Sequence, residues 1–115
     1  MRVLVCGGRD YHDCNRVEQC LLVANWVEPI TCVIQGGARG ADILARMVAT
    51  KHHIPGEEFP ALWDKYGRHA GPIRNQRMLD EGKPDLVIAF PGGAGTADMV
   101  RRAKAANIAV LEVAT

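Results

Sequence analysis

The sequence predicts an α/β domain built on an open parallel five-stranded sheet with helices on both faces. Three observations lead there. Short apolar runs alternate with segments of helical spacing along the whole chain. The run from Leu86 to Phe90 is apolar without a break, as a strand covered on both faces must be. Three of the runs, ending near Cys6, Gln35 and Phe90, give way to glycine-rich loops before the next helical segment. Strands connected this way make right-handed crossovers, so the loops after their carboxyl ends gather on one edge of the sheet, where open α/β sheets bind ligands.

In chain order, Arg2 to Cys6 is the first strand, and Gly7-Gly8-Arg9-Asp10-Tyr11 is the loop beyond it. From about Asn15, Val17, Cys20, Leu21, Ala24 and Val27 recur at helical spacing and give the first helix one apolar face. Thr31 to Gln35 is the second strand. It runs into Gly36-Gly37-Ala38-Arg39-Gly40-Ala41-Asp42, after which Ile43, Leu44, Met47 and Val48 resume helical periodicity. Pro55-Gly56 breaks that helix, and Glu57 to Ala61 reads as a short third strand. Leu62 to Pro72 keeps Trp63, Tyr66 and several charges together without a period, so it reads as an irregular, ligand-facing loop. Ile73 to Glu81 is a helix bearing Arg74, Asn75 and Arg77, stopped by Gly82-Lys83-Pro84. The strand Leu86 to Phe90 follows, then Pro91 and the glycines, then a helix opening at Thr96 and continuing through Met99, Val100 and Ala103. Ile108 to Val113 closes the sheet, for five strands and four helices.

The length of 115 residues fits one domain, residues 1–115, with a modest core. A hydrophobic content of 48% with 23% charged residues suits a folded globular chain rather than a disordered one. A formal charge of +1 argues against a broad nucleic-acid surface. No apolar stretch is long enough to cross a bilayer and the N-terminal apolar run is too short for a signal peptide, so the expected location is cytoplasmic, with no membrane partner. Cys6, Cys14, Cys20 and Cys32 form no Cys-x-x-Cys pair and are not spaced with His12, His52, His53 and His69 as a zinc site requires. No metal and no cofactor is expected, and Cys6 and Cys32 read as reduced core thiols.

The chemistry lies in the loops. Gly92, Gly93 and Gly95 carry no Cβ to keep a ligand from the main-chain N–H groups, and the first N–H groups of the following helix have no internal partner. Together they suit an anion, most often a phosphate. No Gly-Lys-Ser/Thr follows, so this is not a P-loop. Arg9, Arg39 and Arg74 lie in or beside the converging loops and supply bidentate donors for phosphate oxygens. The ligand-binding candidates are therefore Gly7, Gly8, Arg9, Gly36, Gly37, Arg39, Asp42, Lys65, Arg74, Asn75, Pro91, Gly92, Gly93, Gly95 and Thr96. Asp10 and Asp42 end two of the loops, where a carboxylate accepts a ribose hydroxyl, holds an arginine or caps a helix; capping is the preferred reading for Asp42. Asn75 serves either a ligand or the loop backbone. Trp63 and Tyr66 offer rings for stacking on a base, with Lys65 near a phosphate, or else they anchor the segment. The role of His69 is left open.

The motifs Gly7-Gly8-Arg9-Asp10, Gln35-Gly36-Gly37-Ala38-Arg39-Gly40-Ala41-Asp42, Ala70-Gly71-Pro72-Ile73-Arg74-Asn75-Gln76-Arg77-Met78 and Pro91-Gly92-Gly93-Ala94-Gly95-Thr96 resemble the YspA/cpYpsA-related branch of the SLOG superfamily, in order and over nearly the whole chain. The resemblance implies a Rossmann-like domain that binds a nucleotide or a nucleotide-derived ligand. Relatives within the superfamily include the LOG phosphoribohydrolases, which cleave the N-glycosidic bond of nucleoside 5′-monophosphates, the DNA-processing protein DprA, and sensor domains that bind nucleotide signals. The LOG enzymes carry Pro-Gly-Gly-x-Gly-Thr-x-x-Glu, and here Met99 stands in the glutamate's place. Asp98 lies one position earlier, which turns its side chain by roughly 100° around the helix. Arg74 resembles the arginine that superfamily members place near the ligand.

Two functions follow from the resemblance. The preferred one is a sensor or processing domain that binds a nucleotide-like small molecule without breaking a bond. The alternative is a phosphoribohydrolase, with Asp98, Asp42 and Arg74 as its catalytic candidates. Single-stranded nucleic-acid binding is a third option, opposed by the small net charge and the lack of interleaved aromatics. The apolar helices of so small a domain, and the pairing common among relatives, make a homodimer the expected assembly.

Overall fold

In a computed structural model, which describes residues 1–115, five parallel strands lie in the order β3-β2-β1-β4-β5. They are β1 (Arg2–Cys6), β2 (Cys32–Gln35), β3 (Gly56–Glu58), β4 (Leu86–Ala89) and β5 (Ala109–Glu112). The alternation of strand side chains sorts the core into two halves. Val3 and Val5 of β1 point into one half with Val33 of β2 and Ile88 of β4. Leu4 and Cys6 point into the other with Ile34 and Val87. Helices α1 (Cys14–Val27) and α2 (Ala41–Lys51) cover the first half through Val17, Leu21, Ala45 and Val48. Helices α4 (Ala70–Asp80) and α5 (Ala94–Ala105) cover the second through Met78, Leu79, Met99 and Ala103. The sheet is thus buried on both faces, which is why its central strands are uninterruptedly apolar.

Strand β1 pairs with β2 on one side and β4 on the other. The chain therefore leaves β3 at one edge, crosses the sheet and enters β4 beyond β1. Strand order reverses between β1 and β4, and the crevice outside their carboxyl ends is where such sheets hold ligands. No helix is long and apolar enough to cross a membrane.

Three expectations are corrected. The third strand ends at Glu58 and not at Ala61: Phe59 N makes one last bond, 2.9 Å to Gln35 O, and Pro60 has no N–H to continue the ladder. The segment Leu62 to Pro72 is mostly helical rather than irregular. It forms α3 (Trp63–Tyr66), a 3₁₀ turn (Gly67–His69) and the first turn of α4, which begins at Ala70 rather than Ile73. Pro72 falls in that first turn, where a missing N–H forfeits no helical bond. Helix α5 begins at Ala94, so Gly95 lies inside its first turn and not in the loop ahead of it.

Candidate functional site

The glycine loops after β1, β2 and β4 meet at the crevice, and most of their glycines are there to let the loops touch each other. Gly8 N donates to Pro91 O at 2.9 Å, and Gly8 O accepts from Ala41 N at 3.2 Å. A Cβ on Gly7 would stand 2.6 Å from the Cβ of Ala41, and one on Gly8 2.9 Å from Pro91 O. Gly40, at φ +85°, passes so close to the Gly8-Arg9 backbone that only glycine fits. Gly92, read above as open to a ligand, is closed off by Thr96 Oγ1 and by Gly8 N, 2.7 Å from where its Cβ would be. Gly93 and Gly95 differ: no protein atom lies within 4 Å of their Cβ positions.

These two open glycines sit at the N-terminus of α5. Gly93 is the N-cap residue and makes no side-chain cap bond; the first main-chain donor to find a helical acceptor is Ala97 N, 3.1 Å from Gly93 O. The N–H groups ahead of it are left for solvent or a ligand. They border a cavity of about 740 Å³ whose walls include Gly8 and Arg9 after β1, Asp42 of α2, Trp63 and Arg68 around α3, Arg74 and Asn75 of α4, and Gly93 to Thr96 with Asp98 and Arg101 of α5. Four arginines thus face two aspartates.

The arginines are unequally engaged. Arg9 and Arg68 have no carboxylate partner; the Arg9 guanidinium lies 5.6 Å over the Trp63 ring, a cation–π contact. Arg74 is held from two sides, Nη1 donating to Gly36 O at 2.8 Å and Nε to Asn75 Oδ1 at 3.1 Å. A Cβ on Gly36 would collide with that guanidinium, which explains the glycine. Burial lowers the pKa of Arg74, Asp42 opposes that, and the like charge of Arg9 adds to it; the group stays cationic. Asn75 extends the chain of contacts, its Nδ2 donating to Gly95 O at 3.2 Å and to Asp98 Oδ2 at 3.0 Å. Asn75 thus ties Arg74 to the first turn of α5 and to Asp98 while bordering the cavity, and none of its bonds goes to a loop backbone.

The aspartates are equally distinct. Asp42 is only 7% exposed. Its Oδ2 accepts from Gly36 N and Ala38 N, each at 3.2 Å. The carboxylate braces the loop upstream of α2 instead of capping that helix, a correction to the preferred reading. Burial pushes its pKa up to about 6 against the two N–H groups and Arg74. Asp98 is tied on both oxygens: Oδ1 pairs with Arg101, and Oδ2 accepts from Arg102 Nε at 2.8 Å and from Asn75. Burial alone would raise its carboxyl, but Arg102, Asn75 and Arg101 outweigh that and hold it below the usual range. Cys6 also borders the cavity; burial pushes its thiol up to about 12, so it stays protonated and inert.

Several candidates lie off this cavity. Lys65 stands 5.1 Å over the Tyr66 ring, and neither residue is in the wall. Arg39 points outward, its side chain 75% exposed and 3.3 Å from Asp10. Gly36 and Gly37 lie behind Arg74 and Glu58, and Pro91 and Gly92 line a neighbouring cavity of about 530 Å³. Two wall residues escaped the sequence reading. Arg101 stands seven residues after Ala94 and three after Asp98, a helical spacing that could have found it. Arg68 lies in the 3₁₀ turn Gly67–His69, where no periodic pattern marks it out. No group of three or more His, Cys, Asp or Glu side chains comes together as a metal site would need.

Comparison with known proteins adds one match. A family model described as YAcAr: YspA, cpYpsA-related SLOG family matches residues 1–66, from β1 through α3, which takes in the first two glycine loops. No curated protein matches the chain.

Proposed function

The chain belongs to the YspA, cpYpsA-related SLOG family, and from that premise we propose that it binds a nucleotide or nucleotide-derived phosphorylated ligand in the cavity between Arg9, Arg68, Arg74 and the N-terminus of α5, as a sensor or processing domain. One observation carries the reading. Arg9 and Arg68 enter the cavity with no carboxylate partner, beside N–H groups that no side chain caps. Uncompensated like charges repel, and an anion placed among them relieves that repulsion while accepting the free donors. A volume of about 740 Å³ is in the range of small-molecule sites. The exposed ring of Trp63 provides an apolar wall for a base.

Binding without cleavage is favoured by the state of α5. Met99 is fully buried in the core beneath the helix, so no carboxylate occupies the position of the LOG glutamate. Asp98 is fully engaged by two arginines and Asn75, which leaves it poorly placed as an acid or base. The phosphoribohydrolase alternative then rests on Asp42 alone among the cavity's carboxylates. We further propose that two copies pair through the outer face of α1, where Leu22, Val23, Trp26 and Val27 are exposed.

The test is a titration of the purified chain with inorganic phosphate and with the four ribonucleoside 5′-monophosphates, following thermal stability and, by chromatography, free base. A ligand that binds only the folded state raises its stability, by about 2.7 kcal/mol at a hundredfold excess over Kd. The expected result is stabilisation without released base, weakened about tenfold or more by Arg9→Ala and by Arg68→Ala, since each removes charge-assisted bonds. No stabilisation by any of these compounds at millimolar concentration would refute the proposal; released base would establish the hydrolase.

A further inference from the structure

One polar atom in the cavity has no task within the protein. Asp42 is more than nine-tenths buried, and its Oδ2 is consumed by Gly36 N and Ala38 N. Oδ1 receives no hydrogen bond from any residue. Since no side-chain oxygen or nitrogen is both sealed from solvent and unpartnered, Oδ1 is the oxygen that reaches the cavity Asp42 borders. The two loop N–H groups hold the carboxylate by Oδ2, and Arg74 makes no hydrogen bond to it, its Nη1 and Nε donating instead to Gly36 O and Asn75. An unpartnered acceptor on so buried a side chain favours a donor brought by the ligand.

Charge decides which part of the ligand that is. A carboxylate repels phosphate, so the anionic end goes to Arg9, Arg68 and the N-terminus of α5, and a neutral donor attached to it faces Asp42. The two places are joined by an unbroken chain of contacts, from Asp42 to the Gly36 loop, to Arg74, to Asn75 and to Gly95 O. The piece of a nucleotide next to its phosphate is the sugar, whereas the base has the Trp63 wall. We infer that Asp42 Oδ1 accepts a hydroxyl of the ligand's ribose, so that the site selects ribonucleotides over deoxyribonucleotides; the inference rests on the nucleotide reading above.

The experiment compares, by calorimetry on the full chain, each ribonucleoside 5′-monophosphate with its 2′-deoxy and 3′-deoxy counterparts, and adds inorganic phosphate as an anion without a sugar. A hydrogen bond to a charged group corresponds to a preference of about tenfold to a hundredfold for the ribonucleotide over at least one deoxy form. Asp42→Asn, which keeps an acceptor for the loop N–H groups but turns an amide toward the ligand, lowers that ratio toward one. It also tightens inorganic phosphate, because a negative charge beside the anion is gone. Equal affinity of the wild-type protein for ribo, 2′-deoxy and 3′-deoxy forms overturns the role of Asp42 and leaves nucleotide binding standing. Failure of every nucleotide to bind while phosphate does overturns the nucleotide reading itself. The wild-type comparison alone decides the matter if the variant does not fold.

Discussion

At Asp42 the fold holds a carboxyl in its protonated form more readily than the unfolded chain does. Its pKa rises from the ordinary 3.8 to about 6 because burial outweighs the N–H groups of Ala38 and Gly36 and the charge of Arg74, with Glu58 adding to the rise. The sign follows from linkage: the folded state binds the extra proton, so stability from this group is full below about 3.8 and is lost as the pH rises through about 6. A rise of that size corresponds to about 3 kcal/mol. Asp42→Asn should therefore gain on the wild type between pH 4 and pH 7, by up to about 3 kcal/mol in urea denaturation. An unchanged difference at the two pH values would show that the site does not penalise the charged form. Asp98 has the opposite sign, its stability being lost as the pH falls through its lowered pKa, but it is common to both proteins and cancels in the comparison. Sequence picked out Asp42, Arg74 and Asn75 as residues of interest but not what they do. Whether a carboxylate caps the helix ahead of it or braces the loop behind depends on the path of the Gly36–Gly40 backbone, which residue types do not encode.

Among the elements, the central strands and long helices were readable to within a few residues, because burial on both faces forces unbroken apolar runs and one-sided burial forces a helical period. What failed was α3 with the start of α4. Gly67, Gly71 and Pro72 count as breakers, and α3 buries none of its residues, so no apolar stripe reveals it. The same limit applies at α5, where Gly92, Gly93 and Gly95 look alike in sequence although one is closed off by Thr96 and Gly8 and the other two are open. Gly95→Ala separates the structural from the binding role. A Cβ there meets nothing in the protein, so the helix gains up to about 1 kcal/mol in propensity and the melting temperature rises. The same methyl group obstructs an anion approaching the first turn, and affinity for inorganic phosphate falls about tenfold, by roughly 1.4 kcal/mol. A more stable variant with undiminished phosphate binding would place the anion elsewhere in the cavity.

For the molecule as a whole, the question is what covers α1. The helix buries Val17 and Leu21 against the sheet, yet its opposite side leaves Val23 60%, Val27 79% and Trp26 90% exposed, and no charged residue falls between Gln19 and Val27. An exposed apolar strip without charges is unusual on a protein that stays alone in water. A second copy presents the same strip, and two-fold pairing lets each cover the other without an open edge for further growth. The net charge of +1 supplies little repulsion against it. The cavity opens among α3, α4 and α5, so pairing through α1 leaves it accessible and binding should not depend on assembly. Sedimentation velocity at micromolar concentration is expected to show a dimer, and Trp26→Glu, which places a charge at the centre of the strip, a monomer that still binds phosphate with the wild-type affinity. A wild-type chain that sediments only as a monomer would remove the pairing. A Trp26→Glu monomer that has lost phosphate binding would instead make assembly a condition of the site.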